Sequence, residues 1–327
     1  MTALFTTEFE EADDAIAGPW RMPHQMLAKQ QYDSHVSIHD DAMAQKLGFK
    51  GGTIEGPTHF SQFVPLCVKL WGVNWLEQGC LSVHYRNACY EGDKVKAFIA
   101  KPKDGATQTE IWMQREDGTE VEVLRGTASI GASNPPSALE QRLTELKPLD
   151  QPVILRDVKV GMRSKRIPIR MEMNQHMGAL YPFSLADKLQ VITESSPCYT
   201  IEGAQASPWR RAIIPIEMLS VLCGYRKDAD PFPVRGPVVG LFADQEIRLI
   251  HGPLFVGEPY ELDREVVFLS GSRRTESMWV RTRIYSPGGD TVLATMLLNS
   301  ASLKESYADY TVEATNLYGA IAPAARG

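Results

Sequence analysis

Between Tyr32 and Ser61 the sequence gathers several side chains able to move protons: Asp33, His35, His39, Glu55, His59 and Ser61. Carboxylates and imidazoles are the usual general acids and bases, and two of them around one water can take a proton from it and return one to a substrate carbon. The His35, His39 spacing would also suit two metal ligands on one helical face, but Val36-Ser37-Ile38 is poor helix sequence, so no metal is expected. Glu55 precedes Gly56 at the mouth of an apolar helix, where it either serves as an acid/base or is simply solvated. The Gly56 N–H opens that helix, where free donors and the positive dipole end stabilise developing negative charge, and a glycine lets a ligand come close.

The elements that must hold these residues are written twice. Phe60, Phe63, Val64, Cys67, Val68 and Trp71 recur at helical spacing, and Gly72 ends the stretch. Strands follow from Leu81 to Gly131, broken by turn residues at Gly92, Gly105 and Gly118. About 165 residues later the layout returns. A helical stretch from Ile216 ends near Gly224, and strands run from Gln245 to Leu303. Arg86 and Gly92 are answered by His251 and Gly257, and Trp112 by Trp279. The runs opening at Ala128 and Ala301 close the two copies. An apolar helix followed by a curled antiparallel sheet, present twice, needs the two sheets to join side by side so that their inner edges are paired. The expected class is therefore α+β, a double hotdog. Residues 1–134 form the first repeat, 135–149 a linker with a short helix, 150–304 the second repeat and 305–327 a peripheral tail.

The stretch from Tyr32 to Ser61 resembles the hydratase motif of the MaoC-like, or (R)-specific enoyl-CoA hydratase, family. Asp33 and His39 occupy its dyad positions, Asp40 and Ala44 the flank, Gly48-Phe49 the end of a short helix, Ile54-Glu55-Gly56 the step into the central helix, and Ser61 the matching serine. Asp33 stands one residue farther from His39 than the pattern has it. Val36-Ser37 replace Asn-Pro, and Glu55 replaces a histidine. The resemblance implies addition or removal of water at the α,β-bond of an acyl thioester, acyl-CoA or an acyl carrier. His39 and either Asp33 or Glu55 would be the acid/base pair, the Gly56 N–H the oxyanion donor and Ser61 a positioning residue. His35 and His59 are placed to touch substrate. No cofactor is implied.

The second copy has no Asp and His at matching spacing, and Glu217 stands where a glycine is wanted, so it is expected to form a wall of the binding tunnel. Its Arg210, Arg211, Arg273 and Arg274 are candidates for the phosphates of a carrier arm. Two other readings use the same fold: a thioesterase, in which Glu55 or Asp33 directs water at the carbonyl, and a non-catalytic acyl-thioester-binding subunit.

Composition fits an intracellular globular protein. The 327 residues are 43% hydrophobic and carry a formal charge of −6, which gives no basic footprint for nucleic acid or an anionic membrane. Five cysteines without CxxC spacing suggest neither disulfides nor a zinc ribbon. Acidic residues (Glu8, Glu10, Glu11) stand where a leader would be basic, so the expected location is the cytoplasm. Assembly into homo-oligomers is left open.

Overall fold

The computed structural model describes residues 4–32, 37–103, 105–117, 121–132 and 135–319. Asp33 and His35 lie outside them. The chain opens with two short strands, β1 (Glu10–Glu11) and β2 (Ala15–Ala17), which sequence patterning gave no reason to expect. Helix α1 (Asp41–Lys46) starts at Asp40, whose side chain caps it by accepting from the Met43 N–H.

The central element of the first copy then begins as a 3-10 helix, Gly56–Phe63, and continues as α2 (Val64–Trp71). A single α-helix over Phe60 to Trp71 was expected. Pro65 explains the difference in part, because it has no N–H to bond back to the fourth residue before it. Phe60, Phe63, Val64 and Cys67 are fully buried, and Gly72 closes the helix with a positive φ of 73°. A short α3 (Trp75–Gln78) leads into β3 (Gly79–Tyr85), β4 (Val95–Ala100), β5 (Gln108–Arg115) and β6 (Val121–Ile130).

Helix α4 (Ala138–Glu145) carries a reciprocal capping box between Ser137 and Glu140. The second copy adds β7 (Ile167–Arg170), α5 (Leu185–Val191), its central helix α6 (Ile216–Gly224), and β8 (Gly240–Leu249), β9 (Pro259–Gly271), β10 (Thr275–Tyr285) and β11 (Val292–Leu303). Helix α7 (Tyr310–Tyr318) follows. Far from standing apart, this part of the tail docks on the second copy. Tyr307 and Ala314 are buried in a small cluster with Val153 and Val266, and the Tyr310 hydroxyl donates to Glu276 at 3.0 Å.

All eleven strands form one sheet in the order β1-β2-β4-β5-β6-β3-β8-β11-β10-β9-β7. Apart from β1 the order is a palindrome of equivalents: β3 answers β8, β6 answers β11, β5 answers β10 and β4 answers β9. The halves meet where β3 pairs antiparallel with β8, from Cys80↔Arg248 to His84↔Asp244. Each copy thereby loses the edge that would otherwise be an open template. Trp112 and Trp279 do occupy equivalent places, across from Phe98 and Phe268 on the neighbouring strand. Trp112 stacks on Phe98 and stays half-buried, whereas Trp279 is covered completely together with Leu139 of α4. The linker helix thus lies on the outer face across the junction of the two halves, and its Leu139 N–H is held by Ser82 Oγ of β3 at 3.0 Å.

The first copy's central 3-10 helix and α6 pack against each other beneath this sheet, so one continuous core is shared by both halves. That contact brings the starts of the two central helices together, and the chemistry gathers there. Among the described residues no helix is long and apolar enough to cross a membrane.

Candidate active site

His39 sits in the turn just before α1, and its position is set by the backbone around it. Gln25 Nε2 donates to its carbonyl at 2.7 Å, and a Cβ on Gly52 would lie 2.2 Å from that same oxygen, so only glycine fits there. The Gly52 N–H is in turn held by Asp41 Oδ1 at 2.7 Å. His39 Nδ1 lies 2.6 Å from the main-chain oxygen of Thr53. A carbonyl can only accept, so Nδ1 carries the hydrogen and Nε2 keeps the lone pair. Burial lowers the His39 pKa below the ordinary value, more than the Thr53 bond and the charge of Glu55 raise it. The ring is therefore a neutral base near pH 7.

Glu55 is the residue before the central 3-10 helix, in extended conformation, and its side chain is buried. Its Oε1 accepts from Thr58 Oγ1 at 3.3 Å and lies 3.5 Å from Lys188 Nζ. It is buried and paired with Lys188.

His39, Glu55, Gly56 and His59 all line one cavity of about 850 Å³. The cavity continues into the second copy, over the face of β10 and β11 that carries Met278, Val280, Met296 and Leu298. The second copy is thus a wall of the cavity, apolar over this face of β10 and β11. Large, mostly apolar pockets with a few convergent polar groups are where small-molecule chemistry is usually found.

Gly56 meets a different neighbour from the one expected. A Cβ there would come 2.4 Å from Cζ of Tyr85, so the close approach that requires glycine is to this ring. Tyr85 donates its hydroxyl to Gln245 Oε1 at 2.9 Å, across the junction of the two sheets.

His59 is buried, and its Nδ1 has no hydrogen-bond partner among the described residues. Burial and the nearby Lys188 push its pKa down to about 4, so it too is neutral. Ser61 is buried but does not line the cavity; its hydroxyl donates to the Thr58 carbonyl at 3.2 Å and meets Thr193 Oγ1 at 2.8 Å.

The four arginines singled out in the second copy lie away from the cavity. Arg211 pairs with Glu258 and Arg274 with Glu305, and Arg210 and Arg273 are exposed. The basic residues that do line the cavity are Arg86, Lys227, Arg235 and Arg264. Sequence reasoning passed over three of these because nothing local distinguishes them from surface charges; Arg86 was noticed only as a repeat anchor. Lys188 was also missed. The capping box at Ser184 and Asp187 announces helix α5, but nothing in it signals that Lys188 is buried.

No family model matches the chain, and no curated protein matches its sequence. Solved structures do match. A MaoC domain protein from Chloroflexus aurantiacus J-10-fl, described as a dehydratase, aligns with a TM-score of 0.52 at 13% identity over 92% of this chain and 95% of that one. The dehydratase domain of PpsC from Mycobacterium tuberculosis, solved in complex with C12:1-CoA, aligns at 0.47 and 8% identity over 92% and 98% of the two chains. RV0216 from the same organism, described as having a double hotdog fold, aligns at 0.44 and 11% identity over 81% and 86%. The chain has the double hotdog fold, and its likeness in fold is to MaoC-like dehydratases.

Proposed function

We propose that this protein is a hydro-lyase of the MaoC-like kind, adding water to an enoyl thioester or removing it from a 3-hydroxyacyl thioester. The observation that carries the reading is the placement of His39, a neutral imidazole with its lone pair on Nε2, and Glu55, a carboxylate, on the wall of one large cavity. A water held between them would give a proton to His39 as its oxygen bonds to the β-carbon. The protonated His39 then returns that proton to the α-carbon while Glu55 accepts the water's other hydrogen bond, and the sum is H and OH across the double bond. The charge that passes through the thioester oxygen would be met by the N–H at the start of the central helix, at Gly56. Asp33, which precedes His39 in the motif, is the other carboxylate the motif offers for this role, and His35 and His59 remain candidate substrate contacts. Ser61 would act indirectly, through Thr58.

The apolar extension past Met278, Val280, Met296 and Leu298 favours a long or bulky acyl group. For the anionic carrier arm, Arg86 and Arg235 are better placed than Arg210, Arg211, Arg273 or Arg274, because they line the cavity and are partly exposed.

The direct test is product analysis after incubation with a long-chain enoyl-CoA and, separately, with its saturated counterpart. A 3-hydroxyacyl-CoA from the first and no reaction of the second is the expected result. Free acid and free thiol from the saturated thioester would instead make the protein a thioesterase, and unchanged material in both would leave an acyl-thioester-binding subunit.

A further inference from the structure

Glu55 begins the central helix of the first copy and Glu217 lies in the first turn of the central helix of the second. Both are buried, and between them lies Lys188, itself only 2% exposed. Lys188 Nζ is 3.5 Å from Glu55 Oε1 and 3.5 Å from Glu217 Oε1. It also donates to Thr58 Oγ1 at 2.9 Å, and Thr58 passes its own hydrogen to Glu55. Two carboxylates around one ammonium leave a net negative charge in the protein interior unless one of them keeps a proton, and an unbalanced buried charge is costly.

Burial, assisted by the charge of Glu55, raises Glu217 to about 7, against the opposite pull of Lys188 and Ser61. Burial alone would lower Lys188, but Glu217 and Glu55 hold it above its ordinary value. The other groups facing the cluster are Tyr199 toward Glu217, His59 toward Lys188, and His39, Tyr85 and Tyr181 toward Glu55. These are neutral near pH 7, so none of them, among the described residues, supplies a second positive charge.

We infer that Glu55, Lys188 and Glu217 form a single acid–base unit, in which Lys188 and Glu217 of the second copy are positioning residues that fix the charge of Glu55 at the cavity and keep one proton between the two carboxylates. The unit rests on the hydro-lyase reading only for the use made of Glu55. The second copy, degenerate in its own motif, would then serve the chemistry of the first.

Infrared titration of the full-length protein carrying isotope-labelled glutamate tests this without turnover. In the wild type a band from a buried, protonated carboxyl should disappear as the pH rises through neutrality. It should be absent in Glu217→Gln, and in Lys188→Met a second protonated carboxyl should appear, which the double variant with Glu55→Gln removes. No titrating band, or a Glu55 signal indifferent to both changes, would overturn the inference. Should Lys188→Met fail to fold, the near-isosteric Glu217→Gln still decides. If the enzyme turns over an enoyl thioester, Glu217→Gln should also move the pH profile of kcat by roughly one unit with KM little changed; loss of thermal stability with an unmoved profile would speak for a merely structural cluster. Absence of any turnover would sink the proposed function while leaving the infrared result to decide the cluster.

Discussion

The ring of His39 and the main-chain oxygen of Thr53 are 2.6 Å apart, and this one contact determines which nitrogen of the imidazole can act as a base. Because the partner is backbone, no side-chain substitution at Thr53 removes it. His39→Ala should therefore be the clean deletion, lowering kcat/KM for hydration by at least ~100-fold, as loss of a general base does. His39→Asn places an amide where Nδ1 was and should hold the loop without restoring the base. Circular dichroism of both variants should match the wild type.

Gly56 and Tyr85 are coupled by contact. Gly56→Ala pushes a methyl into the Tyr85 ring and should cost about 1–3 kcal/mol in urea denaturation, the usual range for overpacking. In a Tyr85→Ala background the same change should cost much less, since the obstacle is gone. Equal costs in both backgrounds would mean that the ring is not what requires glycine.

His59 and Glu217 should give stability opposite pH dependences. His59 binds its proton in the unfolded chain below about 6.5 but in the folded protein only below about 4. Its contribution is therefore present above about 6.5 and lost as the pH falls toward 4. Glu217 keeps its proton in the folded protein up to about 7 and loses it in the unfolded chain above about 4.5. Its contribution is full below about 4.5 and lost as the pH rises toward 7. Across the shared window the two nearly cancel. Relative to the wild type, in which buried His39 adds a slope of the same sign as His59, Glu217→Gln should make stability rise more with pH and His59→Asn should make it rise less, each by at most about 1.4 kcal/mol per pH unit. Denaturant melts at two pH values inside the window read this directly; parallel slopes in the two variants would contradict it.

Asp244 ties the halves together. It is fully buried on β8 and meets His84 of β3 at 2.7 Å, Arg142 of α4 at 3.0 Å and Asn299 of β11 at 2.7 Å. Asp244→Ala leaves the buried Asn299 amide without its acceptor while His84 and Arg142, both more than a third exposed, turn to water, and should destabilise the protein by about 1–3 kcal/mol. Asp244→Asn, which retains one acceptor, should lose less.

The repeat was legible because period-2 alternation and paired turn glycines survive in a single sequence, and Gly92 with Gly257 marks the same turn in both copies. The strands β1, β2 and β7 were not, since two to four residues carry too little pattern. His39, Glu55 and Gly56 could be found because they lie within one short stretch. The roles of Lys188 and Glu217 could not, because they come from the packing of two central helices far apart in the chain, and Arg235 could not, because its place on the cavity is set by a loop whose partners, Asp157 and Glu313, are remote in sequence. The Asp33 and His35 assignments fall on residues outside the structure as described.

The most direct test of the account is the rate at which the enoyl-thioester absorbance of a long-chain enoyl-CoA decays with wild type, His39→Ala and Glu55→Gln at one pH near neutrality. The account predicts steady decay with the wild type and a loss of at least ~100-fold with either variant. Decay that is undiminished by both substitutions would contradict it, by placing the chemistry somewhere other than this cavity wall.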